Sequence, residues 1–520
     1  MYLNAHTFFS LRYGTLSPQQ LVEAAVSRRV KTLVLTDINN TSAALGFVRT
    51  CREQGIKPVL GIEFRDDRCR FLYAGIARNN AGWAALCSFL TEHSLAGKAL
   101  PAVPPPMDGV FIIYDQEVKP LEMFRPNEFI GIRPAQAGGL FSSNWRHHPD
   151  KLVVWQPITF LDPEGYRVHK LLRAIDANTL VTKLDAVVIA RADENFPIET
   201  EVLEPFKRYP KIVENTRRLI ESCTIRFETG LQINRRTFMG SKDGDINLLT
   251  KLAESGCQRR YGPQHRRAQE AQERVRKELK AIAQLDFTTY FLIAWDIVRY
   301  AESSGYHHIG RGSGANSIVA YCLFITDVEP LELDLYFERF INTQRSSPPD
   351  FDIDFSWDER DDVTDYIFKR YGREHTALLA TYSTFQHGAV IRELGKVFGL
   401  TKNEIDAIVD HWSATAAGTW EWTSRKDEDS ASPSSNSKPK NLAAEAGAGN
   451  LHPWTKHILR YGEMLVDFPN YLSIHAGGII ISEKPLSEAT ALQMMPKGFP
   501  VTHFDMYAAE DWGFHKFDVL

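Results

Sequence analysis

The six cysteines are scattered at Cys51, Cys69, Cys87, Cys223, Cys257 and Cys322, and no two form a Cys-x-x-Cys pair. That spacing excludes a zinc site of the usual ligand pattern and gives no disulfide framework. A reducing cytoplasm is the simplest setting. Long apolar runs are also missing: none approaches the ~20 residues needed to span a bilayer, so no membrane partner is expected. The opening Met-Tyr-Leu-Asn-Ala-His lacks a basic segment followed by an apolar one. There is no excess of positive charge. The net charge is −5, so a nucleic acid would have to be held by local basic patches rather than by the bulk field. No internal repeat is present. What remains is an ordinary globular composition, 43% hydrophobic and 24% charged, over 520 residues. That length exceeds a single hydrophobic core and implies at least two domains.

The first third alternates short apolar runs with helical stretches. Residues 31–36 and 57–64 have strand length, with a helix expected at about 42–54, stopped by Gly55. Ser17 is a helix N-cap, followed by Pro18 at the first helical position and Gln20 three residues after the cap. This βαβαβ pattern predicts a parallel sheet or barrel. The proline-rich Pro101–Pro106 reads as a surface loop. Residues 256–283 predict one long charged helix, either a solvated linker or a DNA-facing surface. A second helix is expected over Tyr290–Ala301, ending near Gly305, and a third at about 315–325. Residues 424–450, rich in Ser, Pro and Lys and then in Ala and Gly, cannot bury enough apolar area to order themselves.

The chemistry concentrates in two places. Residues 349–355 read Pro-Asp-Phe-Asp-Ile-Asp-Phe. A strand alternates its side chains between faces, which puts Asp350, Asp352 and Asp354 on one face and Phe351, Ile353 and Phe355 on the other. Asp-rich segments can be calcium loops or solvated edges, but the alternating apolar residues argue against a loop. Carboxylates packed this closely suit magnesium. About forty residues earlier, Gly310-Arg311-Gly312-Ser313-Gly314 precedes a helix. Its glycines allow close backbone approach to a phosphate, and Arg311 and Ser313 supply donors. An anion cradle and a cation cage together describe a nucleoside-triphosphate site.

With these motifs the chain resembles bacterial DNA polymerase III alpha subunits, the C-family replicative polymerases. The resemblance rests on Tyr290 to Asp296, Gly310 to Ser313, Phe337-Glu338-Arg339-Phe340 and Pro349 to Phe355, in that order. Gly61-Ile-Glu63 and Ala77 to Trp83 are similar to the family's N-terminal PHP domain. Ala389 to Gly395 resembles the helix after the acidic strand. His475 to Ile481 and Lys516-Phe-Asp518 resemble the second half of its palm. The resemblance implies that Asp352, Asp354 and Asp518 are the catalytic, metal-binding carboxylates. Gly312 and Ser313 would then hold the triphosphate, and Arg311, Arg339 and Lys516 would meet phosphate charge. Arg392 would do the same or contact template or primer. Asp350 is read as structural, Arg339 alternatively as an ion-pair partner of Asp296 or Glu338, and His475 as packed or functional.

The resemblance also implies an α/β and α+β multidomain fold. A β/α barrel-like PHP domain (1–230) precedes a nucleotidyltransferase palm like that of polymerase beta (231–398 and 473–520), with a helical thumb inserted at 399–472. The implied function is template-directed addition of deoxynucleotides to a primer 3′-hydroxyl with two Mg2+ ions. The implied partners are primed template DNA, dNTPs, and replisome subunits such as an exonuclease and a sliding clamp. Three departures stand out. Metal-binding PHP domains open with His-x-His, whereas this chain has Asn4-Ala5-His6. It has Asp37-Ile38 for Asp-His and Pro157-Ile158-Thr159 for Asp-x-His, leaving His6 and Glu63. No phosphoesterase activity is therefore expected from this domain. Gly388 stands where the family usually has Lys or Arg. The sequence reaches Leu520 without the fingers that normally follow, so a C-terminal polymerase segment is an expected partner. The alternative is a non-catalytic DNA- or subunit-binding fragment or a degenerate paralogue.

Overall fold

The computed structural model describes residues 1–227, 233–339, 348–417 and 452–520. The low-complexity stretch 424–450, the expected boundary at 230/231 and Phe340 lie outside them, as does the Arg339 side chain.

The N-terminal unit is built on two sheets. β1 (Asn4–Ala5) pairs in parallel with β8 (Pro157–Ile158). The larger sheet runs in chain order through β2 (Thr32–Leu35), β3 (Lys57–Arg65), β4 (Phe71–Ala77), β5 (Val110–Tyr114), β6 (Glu128–Ile132) and β7 (Leu152–Val154). A bridge from Tyr2 to Leu33 carries the pair β8–β1 past β2, giving a partial barrel. The parallel pairing expected of the strands at 31–36 and 57–64 is present as β2–β3, within a sheet that is mixed as a whole. β2–β3, β5–β6 and β6–β7 are parallel, but β3–β4 and β4–β5 are antiparallel. The connection over residues 66–70 is too short for the crossover that parallel neighbours need, so β3 and β4 form a hairpin. The expected helix at 42–54 is Ala44–Glu53. Helix Pro18–Ser27 starts at Ser17, whose hydroxyl accepts the Gln20 N–H (3.0 Å) while the Gln20 side chain accepts the Ser17 N–H (2.9 Å).

The second unit is a seven-stranded mixed sheet in the order β13-β14-β11-β12-β15-β10-β9. Its strands are β9 (His308–Arg311), β10 (Asp352–Phe355), β11 (Thr376–Thr384), β12 (Pro469–Ile481), β13 (Leu492–Met494), β14 (Pro500–Asp505) and β15 (Lys516–Val519). Helices Lys242–Arg260, Ala268–Gln284, Thr288–Ser303 and Arg360–Tyr371 cover one face, against Phe351, Ile353, Ile479, Phe517 and Val519. The single long helix expected at 256–283 is thus two helices, parted by a segment carrying Gly262 and Pro263. Proline supplies no N–H to continue the ladder. The helix expected at 315–325 is a tight 3-10 turn, Ser313–Asn316, followed by only Ile318–Cys322. Phe324 takes a left-handed backbone (φ 62°), which ends it.

The opposite face of the sheet meets the N-terminal unit, whose core continues into Ala377, Leu379, Ile480, Leu492, Phe504 and Trp512. A third core joins helices His387–Phe398, Lys402–Ala417 and Thr455–Leu465 to helix Pro163–Asp176 of the N-terminal unit. Arg460 pairs there with Glu164 (2.6 Å). Among the described residues no single helix is long and apolar enough to cross a membrane.

Candidate active site

The alternation of residues 350–355 places the site. Phe351 and Ile353 are buried in the helix-covered core, so Asp352 and Asp354 emerge on the other face. The central neighbour of β10 is β15, from the far end of the chain. The two are parallel, with Asp352 directly beside Asp518. Gly478 of β12 lies opposite Asp518 on its other side, where a Cβ would stand 3.5 Å from the Asp518 carboxylate. The sheet thus brings all three expected carboxylates onto adjacent strands, with the His475 ring and Leu379 packed at the Gly478 side of Asp518.

Two cations already lie among these carboxylates. The Arg311 guanidinium, opposite Asp352 on the edge strand β9, donates through Nε to Asp354 (2.6 Å) and through Nη1 to Asp352 (3.0 Å). Lys516 donates to Asp518 and lies 3.9 Å from Asp350. Burial raises the Asp352 carboxyl above its ordinary range, and the neighbouring Asp518 charge adds to this. Burial opposes the charge on Lys516, but the Asp518 carboxylate, with Asp350 and Asp352 beyond it, holds the ammonium above its usual range. One Asp518 oxygen, Oδ1, is buried with no hydrogen-bond partner. A buried acceptor left unpaired costs of order 1–3 kcal/mol. His475 Nδ1 stands 4.0 Å from it but accepts the Gly478 N–H (2.9 Å).

An all-oxygen donor set with one buried unpaired oxygen fits a hard divalent ion. In this conformation no three described His, Cys, Asp or Glu side chains converge at ligand distance. Arg311 and Lys516 stand between the carboxylates.

The glycine loop abuts this cluster. Gly312 has φ +89°, and a Cβ there would meet the Asp350 carbonyl at 2.7 Å and the Asp352 carboxylate at 3.3 Å. The Gly314 N–H donates to the Asp350 carbonyl (2.9 Å), and the Ser313 hydroxyl accepts the Asp350 N–H (3.0 Å). Asp350 therefore ties strand to loop through its backbone. The amides that open helix Ile318–Cys322 are met from inside, by the Ser317 hydroxyl at Ala320 and by the buried Glu278 carboxylate at Val319.

Other expected residues fall elsewhere. Arg392 lies on helix His387–Phe398 and pairs with Asp406 (2.6 Å) within the third group of helices, away from the aspartates' contacts. Asp296 is buried and accepts from Tyr366, Tyr371 and Arg299, with Arg370 at 3.5 Å. Glu338 pairs with Lys277. A cavity of about 590 Å³ opens beside Asp350 and Lys516, walled by Phe287, Tyr290 and His515, but it does not include Asp352, Asp354 or Asp518. Those three emerge on the sheet face opposite the helices, Asp352 and Asp354 half-buried and Asp518 buried. Sequence reading assigned Arg311 to phosphate and missed its bridge between Asp352 and Asp354. The β9–β10 register sets that bridge, and no local motif encodes it.

In the N-terminal unit His6, Glu63, Asn4 and Asp37 do come close together, but they do not fit a metal. One Glu63 oxygen accepts from Asn4 (2.6 Å) and faces His6 Nε2 (3.0 Å). The other accepts from the buried Arg65 guanidinium (2.6 Å), which also reaches the Tyr13 hydroxyl (3.0 Å). Asp37 is filled by the Thr7 N–H and the Thr7 and Ser10 hydroxyls. Burial opposes ionisation of Glu63, yet Arg65 and His6 hold its carboxyl well below the usual range.

Comparison with known proteins agrees with this architecture. Residues 247–520 match the model of the bacterial DNA polymerase III alpha NTPase domain, and residues 3–112 match the PHP domain. The chain is 30% identical to an error-prone DNA polymerase of Symbiobacterium thermophilum and 30% identical to DNA polymerase III subunit alpha of Halalkalibacterium halodurans. It is 28% identical to the alpha subunit of Bacillus subtilis. Each alignment covers 100% of this chain but only 51%, 48% and 48% of the relative, so the chain spans about half the length of these proteins. A seven-stranded sheet with its acidic cluster, a PHP-type N-terminal unit and matches along the full chain place this protein in the bacterial DNA polymerase III alpha family.

Proposed function

We propose that the chain carries the nucleotidyl-transfer centre of a DNA-directed DNA polymerase and that Asp352, Asp354 and Asp518 bind two Mg2+ ions there. The observation that carries this reading is the side-by-side register of Asp352 and Asp518 on parallel strands, with one Asp518 oxygen buried and unpaired. When bound, the ions supply charge neutralisation for the attacking and leaving oxygens of an in-line phosphoryl displacement. The protein's part is positioning. Gly312 lets the backbone of the loop approach the triphosphate, and the Ser313 turn frames it. Arg311, which bridges Asp352 and Asp354 here, would be available to phosphate oxygens if metal held those carboxylates instead. Lys516 stands beside Asp518 to meet the remaining negative charge. Base pairing with the template, rather than a base-reading side chain, supplies sequence fidelity.

On this reading the seven-stranded sheet is the palm and the helices over 387–465 are the thumb. The substrates are dNTPs and primed template DNA. An exonuclease and a sliding clamp, or a further polymerase segment supplying fingers, are partners, and the cytoplasm is the site of action. The N-terminal unit is a structural support. The test is primer extension with Mg2+ by this chain, with and without an added fingers segment from a relative, beside Asp352→Ala. With the fingers segment added, extension by the wild type and none by the variant is expected; the chain alone should extend little. Extension equal in both removes the enzymatic reading, and binding of primed DNA without extension favours a scaffold.

A further inference from the structure

The glycine loop is held from behind by an ion pair, a buried Glu278 with a half-buried Arg274, that the catalytic reading leaves unused. Glu278, on helix Ala268–Gln284, is 1% exposed. Its carboxylate accepts the Ser317 hydroxyl (2.8 Å), the Val319 N–H (3.2 Å) and Arg274 Nε–H (3.1 Å). Arg274 in turn donates to the Leu335 carbonyl (2.6 Å) and the Asn316 carbonyl (3.4 Å). The Asn316 side chain donates to the Ser313 carbonyl (2.9 Å). An unbroken chain of bonds therefore runs from Glu278 and Arg274 through residues 316 and 317 to Ser313. The far end of the same turn is fixed to the acidic strand by the Gly314 and Ser313 bonds to Asp350.

A buried carboxylate is tolerated only when its lone pairs are filled, and here three donors fill them. The turn is clamped between two anchors, the Asp350 backbone in front and Glu278 behind. Resting on the polymerase reading above, we infer that Glu278 and Arg274 are positioning residues that set the 312–314 turn for the triphosphate while touching neither nucleotide nor metal.

The clamp has a titration signature. Burial pushes the Glu278 carboxyl up to about 7, against the opposing pull of Ser317 and Arg274. The groups facing it are Arg274 from its own helix and the Cys322 thiol from helix Ile318–Cys322, held neutral by its contact with Cys257 and by burial. Protonation turns one acceptor oxygen into a donor that opposes the Ser317 and Val319 donors. The grip on the turn therefore weakens as pH falls through about 7.

The experiment measures binding of a non-hydrolysable deoxynucleoside triphosphate with Mg2+, from pH 6 to 8.5, by the full chain. Glu278→Gln, Arg274→Lys and Ser317→Ala are run beside the wild type. Mn2+ affinity without nucleotide and the melting temperature are recorded in parallel. Glu278→Gln is expected to weaken nucleotide binding about tenfold at pH 8, the loss of one charge-assisted bond. It should remove the wild-type decline near pH 7 that exceeds the nucleotide's own titration, and leave Mn2+ affinity within about twofold of wild type. Arg274→Lys and Ser317→Ala should weaken nucleotide binding in the same direction, and they carry the test if Glu278→Gln fails to fold. Variants with wild-type nucleotide affinity and an unchanged pH profile overturn the inference alone. So does a parallel loss of nucleotide and Mn2+ affinity, which indicates general loosening. A wild type that binds no nucleotide, or whose binding survives Asp352→Ala, removes the polymerase reading and this inference with it.

Discussion

Arg311 and Arg65 show how single cations set the two polar centres. Arg311 is half exposed and bridges Asp352 and Asp354 from an edge strand, where water and salt keep its ion pairs weak and exchangeable. Arg65 is the reverse case: a buried guanidinium fixed to Glu63 and stacked 4.2 Å over the Tyr13 ring. Arg65→Met leaves the Glu63 charge uncompensated and should lower the unfolding free energy by about 3–5 kcal/mol. Urea denaturation measures this, and in an Asp352→Asn background, which lacks the proposed divalent site, a chelator should leave the curve unmoved. A chelator-sensitive Asp352→Asn protein would refute the internal-cation account. Gly312 is the other residue under strict constraint. Its positive φ and the nearby Asp350 carbonyl make Gly312→Ala strained, at about 1–3 kcal/mol. The same variant should lose triphosphate affinity because the added Cβ presses on Asp352. Unchanged melting and binding would contradict that. The sequence exposed the glycine but not its φ, because the left-handed backbone is set by the close pairing of β9 and β10.

At the scale of elements, the period-two pattern of residues 350–355 was legible because alternation dictates face. The partner strand was legible only through family resemblance: β15 lies more than 160 residues downstream, and no local pattern in Lys516–Val519 names β10 as its neighbour. The helical phases of Tyr290–Ala301 and Ala44–Glu53 were also readable, since apolar spacing reports the buried side. The 256–283 stretch was misread because charge density suggested one continuous helix, whereas Gly262 and Pro263 break it. Sheet direction was legible for β2–β3, where a helix intervenes, but not for β3–β4, where the turn at 66–70 makes a hairpin. Helix Asn80–Ala96 joins the two units. Trp83 is 1% exposed and donates to the Ala489 carbonyl (3.2 Å). The Thr91 and Ser94 hydroxyls accept the Leu492 N–H (2.9 Å) and the Met494 N–H (3.2 Å). Trp83→Ala should cost about 3–5 kcal/mol. It should also shift the unfolding of both units together, followed by tryptophan fluorescence and circular dichroism. Two separate transitions would argue against a shared core.

For the whole molecule, the N-terminal unit and the seven-stranded sheet share one apolar core, and buried histidines lie within and beside it. His503 accepts the Thr41 N–H (3.1 Å) across the junction, and burial lowers it to about 4. Burial likewise lowers His515 to about 4 and His169 to about 3. A histidine free in the unfolded chain titrates near 6.5. Between that value and about 4 these histidines bind more protons in the unfolded state than in the folded one, so their contribution to stability rises with pH across this window. Across this window the raised Glu278 carboxyl acts in the opposite sense, so the histidine contribution is read by difference: His503→Asn should reduce the rise of the unfolding midpoint with pH between about 4 and 6.5. A variant whose midpoint follows the wild-type pH profile would contradict a buried, neutral His503. This shared core could not be read from sequence, because composition does not show which apolar faces meet across 400 residues of chain.

The central proposal is that Asp352, Asp354 and Asp518 together hold two divalent ions beside the glycine loop. Titration of Mn2+ into the full chain with a non-hydrolysable triphosphate, followed by electron paramagnetic resonance, tests it most directly. The account predicts two bound ions in the wild type and loss of both in Asp352→Asn and in Asp518→Asn. An Asp518→Asn protein that binds Mn2+ as the wild type does would contradict it.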